Sequence, residues 1–232
     1  MRSGGPAAEG ASADVSGLAA ARALFGDRLD LAIRYAEHLS GTGVERGLLG
    51  PREVPRLWDR HLLNSAAVAE LIPDQADVAD VGSGAGLPGL PLAIARPDIT
   101  VRLIEPLLRR STWLDDVVSE LGLTNVEVLR VRAEELAGRI TVQVVTARAV
   151  APLARLCEIC LPLLRPGGLL LALKGRQAEA ELADAAEVLK ASEARRWRVQ
   201  ACGVGVLEVP TTVVVVEAGN VRKGRRSGSA RR

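Results

Sequence analysis

The chain has 232 residues, 48% of them apolar but only 2% aromatic, and a formal charge of +2. Three cysteines (Cys157, Cys160 and Cys202) are too few for a disulfide framework. The opening MRSGGPAAEGASAD lacks the apolar run of a secretion signal, and no stretch approaches the roughly twenty apolar residues needed to span a bilayer, so nothing points to export or to a membrane and a cytoplasmic protein is expected.

With Phe25, Tyr35, Trp58, Trp113 and Trp197 as the whole aromatic complement, Val, Leu and Ala must fill the interior, a mix suited to helices packed on a parallel sheet. Residues 1–14 read as a disordered leader rich in Gly, Ala and Ser. A helical cap is expected over 15–72. Two segments run from about Val15 to Ser40, with Leu29, Ala32, Ile33, Ala36 and Leu39 at helical spacing, and Gly41-Thr42-Gly43 is expected to break them. A further helix from about Pro51 to Leu71 places Val54, Leu57, Trp58, His61, Leu62, Ser65 and Val68 along one side.

From residue 73 to 219 strand and helix alternate. Strands are expected at Asp77–Val81, Thr100–Glu105, Val126–Val131, Val142–Thr146 and, after a Pro166-Gly167-Gly168 turn, Leu169–Lys174. Between them lie helices at Leu87–Ala95, Leu107–Leu121 (capped by Gly122), Glu134–Ala137 and Leu153–Leu164, and a charged helix at Ala178–Ala194 follows. The last two strands, near Trp197–Val206 and Thr211–Glu217, have only a turn around Pro210 between them and should pair antiparallel. Helical crossovers of this length imply right-handed βαβ units, hence an α/β, doubly wound, mostly parallel sheet closed by a hairpin, which resembles the class I methyltransferase architecture. Residues 222–232 hold six basic residues and no acidic one, leaving 24 basic against 28 acidic residues elsewhere. This 220–232 segment reads as a disordered basic tail that either attracts a polyanion such as nucleic acid or serves only as a solubilising terminus.

The densest chemical signal is Asp80-Val81-Gly82-Ser83-Gly84-Ala85-Gly86-Leu87-Pro88-Gly89, placed where the first strand of the alternating region ends and a helix begins. Glycines there let the backbone approach a ligand at the carboxyl edge of the sheet. Glu105 ends the next strand, where a carboxylate can accept both hydroxyls of a ribose. The run also contains the G-x-G-x-x-G of dinucleotide enzymes. The extra Gly82 gives instead the D-x-G-x-G-x-G of methyltransferases, and no length remains for a dehydrogenase's substrate domain. S-adenosylmethionine is therefore the expected cofactor, with a nicotinamide enzyme and a non-catalytic binding protein on the same fold as the alternatives.

Several pieces in order sharpen this reading: LWDRHLLNS (57–65), DVGSGAGLPGLPLAIARPD (80–98), Arg109-Arg110, Val131-Arg132-Ala133-Glu134-Glu135, Ala147-Arg148-Ala149 and Ala172-Leu173-Lys174-Gly175. Together they resemble the glucose-inhibited division protein B family, the methyltransferases G of small-subunit ribosomal RNA. The resemblance implies methyl transfer to N7 of a guanosine in the 530 loop of 16S rRNA, with naked rRNA or a 30S particle as partner and with no metal and no membrane. It implies cofactor contacts at Asp80, Gly82, Gly84, Leu87 and Glu105, adenine contacts at Ala133 and Glu134, and Arg148 beside the methionine moiety. It also implies a basic pocket of Arg109, Arg132, Arg148 and Lys174, without a general base. The family often has Asp where Glu105 stands and Lys where Arg109 stands.

The chain lacks the Asn/Asp-Pro-Pro-aromatic loop used for exocyclic amines and the Pro-Cys or Thr-Cys nucleophile used at pyrimidine C5, since Ala201 precedes Cys202 and Leu156 precedes Cys157. Cys157-x-x-Cys160 has no second ligand pair and reads as core thiols rather than half a zinc site. His61 reads as a core or interface histidine, and Glu179-Ala180-Glu181 as a solvated helix face. Lys174 is one of only three lysines among thirty basic residues, which points to a required ammonium at the end of the fifth strand.

Overall fold

The computed structural model describes residues 15–192 and 194–219; the expected leader and basic tail lie outside these residues. Seven strands form one sheet in the order β3-β2-β1-β4-β5-β7-β6. β1 (Asp77–Val81), β2 (Thr100–Ile104), β3 (Val126–Leu129), β4 (Val142–Arg148) and β5 (Leu164–Leu173) are parallel. β7 (Thr211–Glu217) inserts between β5 and β6 (Arg196–Cys202), antiparallel to both. This is the doubly wound sheet expected from the strand–helix alternation.

The side-chain alternation of a sheet covered on both faces is visible along β7, where Val213 and Val215 enter one apolar core and Val214 and Val216 the other. The first core takes α4 (Gly89–Ala95) and α5 (Leu108–Leu121); the second takes α6 (Leu153–Cys160), α7 (Ala178–Asp184) and α8 (Ala186–Ala191). α1 (Val15–Phe25), α2 (Leu29–His38) and a run of helical turns over 51–71 that includes α3 (Asn64–Ala66) make up the cap. Its Ala32, Tyr35, Leu39, Leu62 and Val68 share the first core with Leu90, Leu103 and Val144, so cap and sheet bury one continuous apolar surface. Four of the five aromatics serve this junction. Phe25 and Trp58 meet edge to face at 6.5 Å, the buried Tyr35 hydroxyl donates to Ala85 O at 2.6 Å, and Trp113 Nε1 donates to Thr42 Oγ1 at 2.9 Å.

Three expectations are corrected. Gly41-Thr42-Gly43 does not break the helix; Leu39–Gly43 forms one wide helical turn, and a Cβ on Gly43 would come within 3.2 Å of His38 O. Pro166-Gly167-Gly168 does not precede β5 but lies inside it as a bulge, where pairing jumps from Val142↔Leu164 to Val144↔Leu169. The charged helix divides at Ala185 into α7 and α8. All three cysteines are buried and free; burial raises the Cys157 thiol to about 11 and Cys202 to about 12, which fits core thiols. Among the described residues no cluster could hold a metal ion, and no helix is long and apolar enough to cross a membrane.

Candidate active site

The glycine turn leaves β1 and bends over the end of β2, with Gly82 and Ser83 N–H both donating to Ile104 O (2.9 and 3.2 Å). Gly82, Gly84 and Gly86 all have positive φ (69°, 56° and 88°), a conformation that side chains resist. Their surroundings differ. A Cβ on Gly86 would strike Leu90 at 2.5 Å and the Tyr35 hydroxyl at 3.1 Å, and one on Gly82 would strike Val150 at 2.7 Å. A Cβ on Gly84 would meet nothing closer than Gly82 O at 3.8 Å, so the turn opens outward at Gly84. Gly89 gives close helix–sheet packing, since a Cβ there would collide with Leu103. Leu87, half-buried, follows the turn and packs against the first core.

Asp80, expected to touch cofactor, lies beneath the turn instead. It is fully buried; one oxygen accepts from Thr146 Oγ1 (2.9 Å) on β4 and the other from Gly89 N–H (3.2 Å) at the start of α4. Burial raises its carboxyl to about 6. Asp80 thus holds the turn in place by joining β1, β4 and α4. Thr146 was missed from the sequence, although an inward polar residue on a buried central strand beside an inward Asp is the expected signature of such a pair.

Glu105 is 2% exposed at the end of β2. Its Oε2 accepts Gly84 N–H and its Oε1 accepts Leu107 N–H, both at 3.0 Å. Each carboxylate oxygen has a second lone pair, so a ribose can still be accepted at Glu105 beside the open face of Gly84. The cation against it is Arg110, with Nη1 3.8 Å from Oε2 and a buried Nε that lacks a hydrogen-bond partner. Arg109, nominated from the sequence, is exposed. Helical phase distinguishes them: Arg110 continues the buried stripe Trp113, Leu114, Val117 and Leu121.

Arg148, at the end of β4, folds against the cap. Its guanidinium donates to Arg60 O (3.0 Å), Ser65 Oγ (3.2 Å) and His61 Nδ1 (2.7 Å), while His61 Nε2 faces Glu53 Oε2 at 2.9 Å. His61 is therefore a satisfied interface histidine, an Nε2–H tautomer held between an acceptor and a donor. Burial, then the Arg148 charge, lowers its pKa below the ordinary 6.5. The unfolded chain takes up this proton near 6.5 and the folded chain only below it, so stability present above 6.5 is lost as pH falls through that window. Asp80 acts oppositely, its raised folded value adding stability between about 6 and 3.8. Thermal unfolding of the native protein and of His61→Gln between pH 8 and 5 separates the two. The native chain should lose more stability on acidification, and parallel curves would refute the neutral, strut-held histidine.

Lys174 is also turned inward, its side chain 9% exposed, with Nζ 2.6 Å from Glu181 Oε2 and 2.9 Å from Ala151 O. Glu181 Oε2 in addition accepts Leu153 N–H at 3.0 Å. The compact ammonium serves to pin the 149–153 loop between β5 and α7, and Glu181 is its partner, not a solvated face. That loop carries Ala149 at φ +53° and the partly exposed Val150 that overlies Gly82. Arg132 is exposed beyond β3, Ala133 is buried, and Glu134 is held by Arg155 at 2.8 Å. The four basic residues expected to line one pocket therefore all follow strand ends at the carboxyl edge, but Arg148 and Lys174 brace the edge while Arg109 and Arg132 are open to solvent.

At the same edge, since Val213 near the start of β7 pairs with Leu173 near the end of β5, the loop joining β6 to β7 faces the cap. Gly205, Val206 and Val209 of this loop and Arg56, Arg60 and Asn64 of the cap line a cleft of about 620 Å³.

Residues 28–209 match the family described as rRNA small subunit methyltransferase G. The chain belongs to this family. It is 55% identical over 205 residues to the "Ribosomal RNA small subunit methyltransferase G" of Renibacterium salmoninarum, covering 88% of this chain and 95% of that one. It is 56% identical over 220 residues to the protein of the same name from Salinispora arenicola, covering 92% and 91%. The fold is similar to that of an S-adenosylmethionine-dependent O-methyltransferase from Thermotoga maritima (TM-score 0.53, 15% identity, 69% of this chain and 66% of that one). The cofactor is S-adenosylmethionine, and the glycine turn fits it: the face at Gly84 is open where a Cβ would fill the space, beside a carboxylate with lone pairs to spare.

Proposed function

We propose that this methyltransferase acts on N7 of a guanosine in the 530 loop of 16S rRNA, within the 30S subunit or an assembly intermediate, in the cytoplasm. The carrying observation is the open turn at Gly84 with Glu105 beside it, on the same sheet edge as the cleft between the cap and the β6–β7 loop. When bound, the cofactor supplies an electrophilic methyl group. Gly82, Gly84 and Leu87 would lie along it, Glu105 would hold its ribose, and Ala133 and Glu134 would flank its adenine.

N7 of guanine carries a free in-plane lone pair, so an acceptor of this kind requires no proton removal before attack. The described residues at this edge suit that chemistry: Asp80 is sealed beneath the turn, His61 is engaged at both nitrogens, and the thiols are buried. What the chain must supply is alignment, which can lower a barrier by several kcal/mol. Arg148 and Lys174 contribute by fixing the cap and the 149–153 loop around the edge. Arg56 and Arg60 offer guanidinium planes and Val206 and Val209 aliphatic surface in the cleft, a setting for an unstacked base in a chain with four of its five aromatics at the cap junction. Arg109 and Arg132 remain free to meet phosphates.

The decisive experiment is transfer of labelled methyl from S-adenosylmethionine to 30S subunits taken from a strain lacking the enzyme, followed by mapping of the modified base. Label at a single guanine N7 in the 530 loop is expected. No incorporation into RNA, or label at another atom, would overturn the assignment.

A further inference from the structure

The sheet ends on β6, and the first residues of that edge strand carry an unusual charge. Arg195 precedes the strand, and Arg196 and Arg198 alternate along it, so by the two-residue period they project from one face while Trp197 and Val199 pack against the second core. All three arginines are exposed, Arg195 by 57% with Glu217 at 3.2 Å. Arg198 donates from both Nε (3.1 Å) and Nη2 (2.8 Å) to Gln200 Oε1, which fixes its guanidinium along the edge while its charge remains uncompensated by that neutral amide.

The position matters as much as the charge. Arg196 pairs with Glu217, and Glu217 with Leu169, where β5 resumes pairing after its bulge, so the arginines sit at the end of the sheet opposite the glycine turn. A seven-residue strand separates the two ends by about 20 Å at roughly 3.3 Å per residue. Arg165, exposed in the β5 bulge, is at this same end. Outside 222–232 the chain has 24 basic against 28 acidic residues, so exposed arginines gathered at one end of the sheet run against the balance of charge.

We propose that the Arg195–Arg198 edge is a second RNA-binding site, taking backbone phosphates of rRNA remote from the nucleotide that receives the methyl group. The proposal rests on the rRNA reading above. A rigid polyanion engaged at the cleft can extend the 20 Å to this end; a small acceptor cannot. Exposed arginines spaced along a strand offer planar, bidentate donors to phosphate oxygens, and contacts of this kind carry no base specificity.

The test uses the full chain with Arg196→Ala/Arg198→Ala, which leaves the Arg195–Glu217 pair in place. Binding to 30S subunits and to protein-free 16S rRNA is measured across a salt series, together with S-adenosylmethionine affinity, thermal midpoint and methyl-transfer kinetics. The variant should bind about tenfold more weakly near physiological salt, with the slope of log affinity against log salt shallower by roughly 0.7–0.9 per lost contact. KM for 30S should rise while kcat, cofactor affinity and the thermal midpoint hold. Unchanged affinity and slope would show that the arginines only guard a sheet edge against pairing. Weakened 30S binding with an unchanged slope and unchanged binding to bare rRNA would assign the edge to a ribosomal protein and also overturn the proposal. If the native protein itself neither binds nor methylates 30S subunits, it is the rRNA reading that fails.

Discussion

Gly84→Val is expected to abolish S-adenosylmethionine binding, with a loss of at least a hundredfold in affinity and no measurable methyl transfer, in a protein that still folds. A valine at φ +56° suffers backbone strain of about 1–2 kcal/mol, small against the stability of a domain of this size. The protein interior has no objection to the new side chain, because a Cβ there meets nothing within 3.8 Å, and the Gly84 N–H can keep its bond to Glu105. The branched methyls instead occupy the space above the turn. Gly86→Val is the contrasting control: its Cβ would collide with Leu90 and Tyr35, so it should damage the cap–sheet junction itself. Calorimetry and circular dichroism read the two apart. Normal cofactor affinity in a folded Gly84→Val protein would remove the turn from the site.

Most of the sheet was legible because buried parallel strands leave short apolar runs bounded by glycine and proline, and the crossovers between them leave helical periods. Asp77–Val81 and Thr211–Glu217 were located to the residue. The misplacements share one cause. Gly41-Thr42-Gly43 and Pro166-Gly167-Gly168 carry turn signals, but in both cases a close backbone oxygen is what keeps a side chain out. A Cβ on Gly43 would come within 3.2 Å of His38 O, and one on Gly168 would press against Gln143 O. Glycine announces that a side chain is unwelcome without saying whether a turn or a neighbour is the reason.

For the site, residue types were legible and directions were not. That Arg148 and Lys174 stand at strand ends follows from the alternation. That their charges turn into the protein depends on Ser65, His61 and Glu181, which lie 83, 87 and 7 residues away in sequence. Two inward-facing charges, Glu181 beside Lys174 and Arg110 beside Glu105, could have been found by helical phase. Glu181 falls on the inner stripe with Ala178, Ala185 and Leu189, and Arg110, not Arg109, falls on that of α5. A charged residue in phase with an apolar stripe is a candidate for a buried pair, and reading it as part of the solvated face overlooks that phase.

Glu105→Ala should show the two roles of that carboxylate at once. A carboxylate at a strand end is commonly exposed, but Glu105 is 2% exposed and anchors the turn through Gly84 N–H and the start of α5 through Leu107 N–H. Alanine leaves two part-buried donors and the adjoining Arg110 guanidinium without their acceptor, at about 1 kcal/mol for each, the low end for an unsatisfied group. At roughly 2–4 °C per kcal/mol for a chain of this length, the thermal midpoint of the ligand-free protein should fall by about 5–15 °C. Cofactor affinity should fall as well, by tenfold or more, since one or two charge-assisted ribose hydrogen bonds contribute about 1.5–3 kcal/mol each. The roles separate by measuring the thermal midpoint without ligand and calorimetric affinity on the folded fraction at low temperature. An unshifted midpoint would contradict the buried anchor. A lowered midpoint with native affinity would keep the anchor and assign the ribose to another acceptor. If both fall together, one carboxylate shapes the turn and holds the ligand that the turn receives.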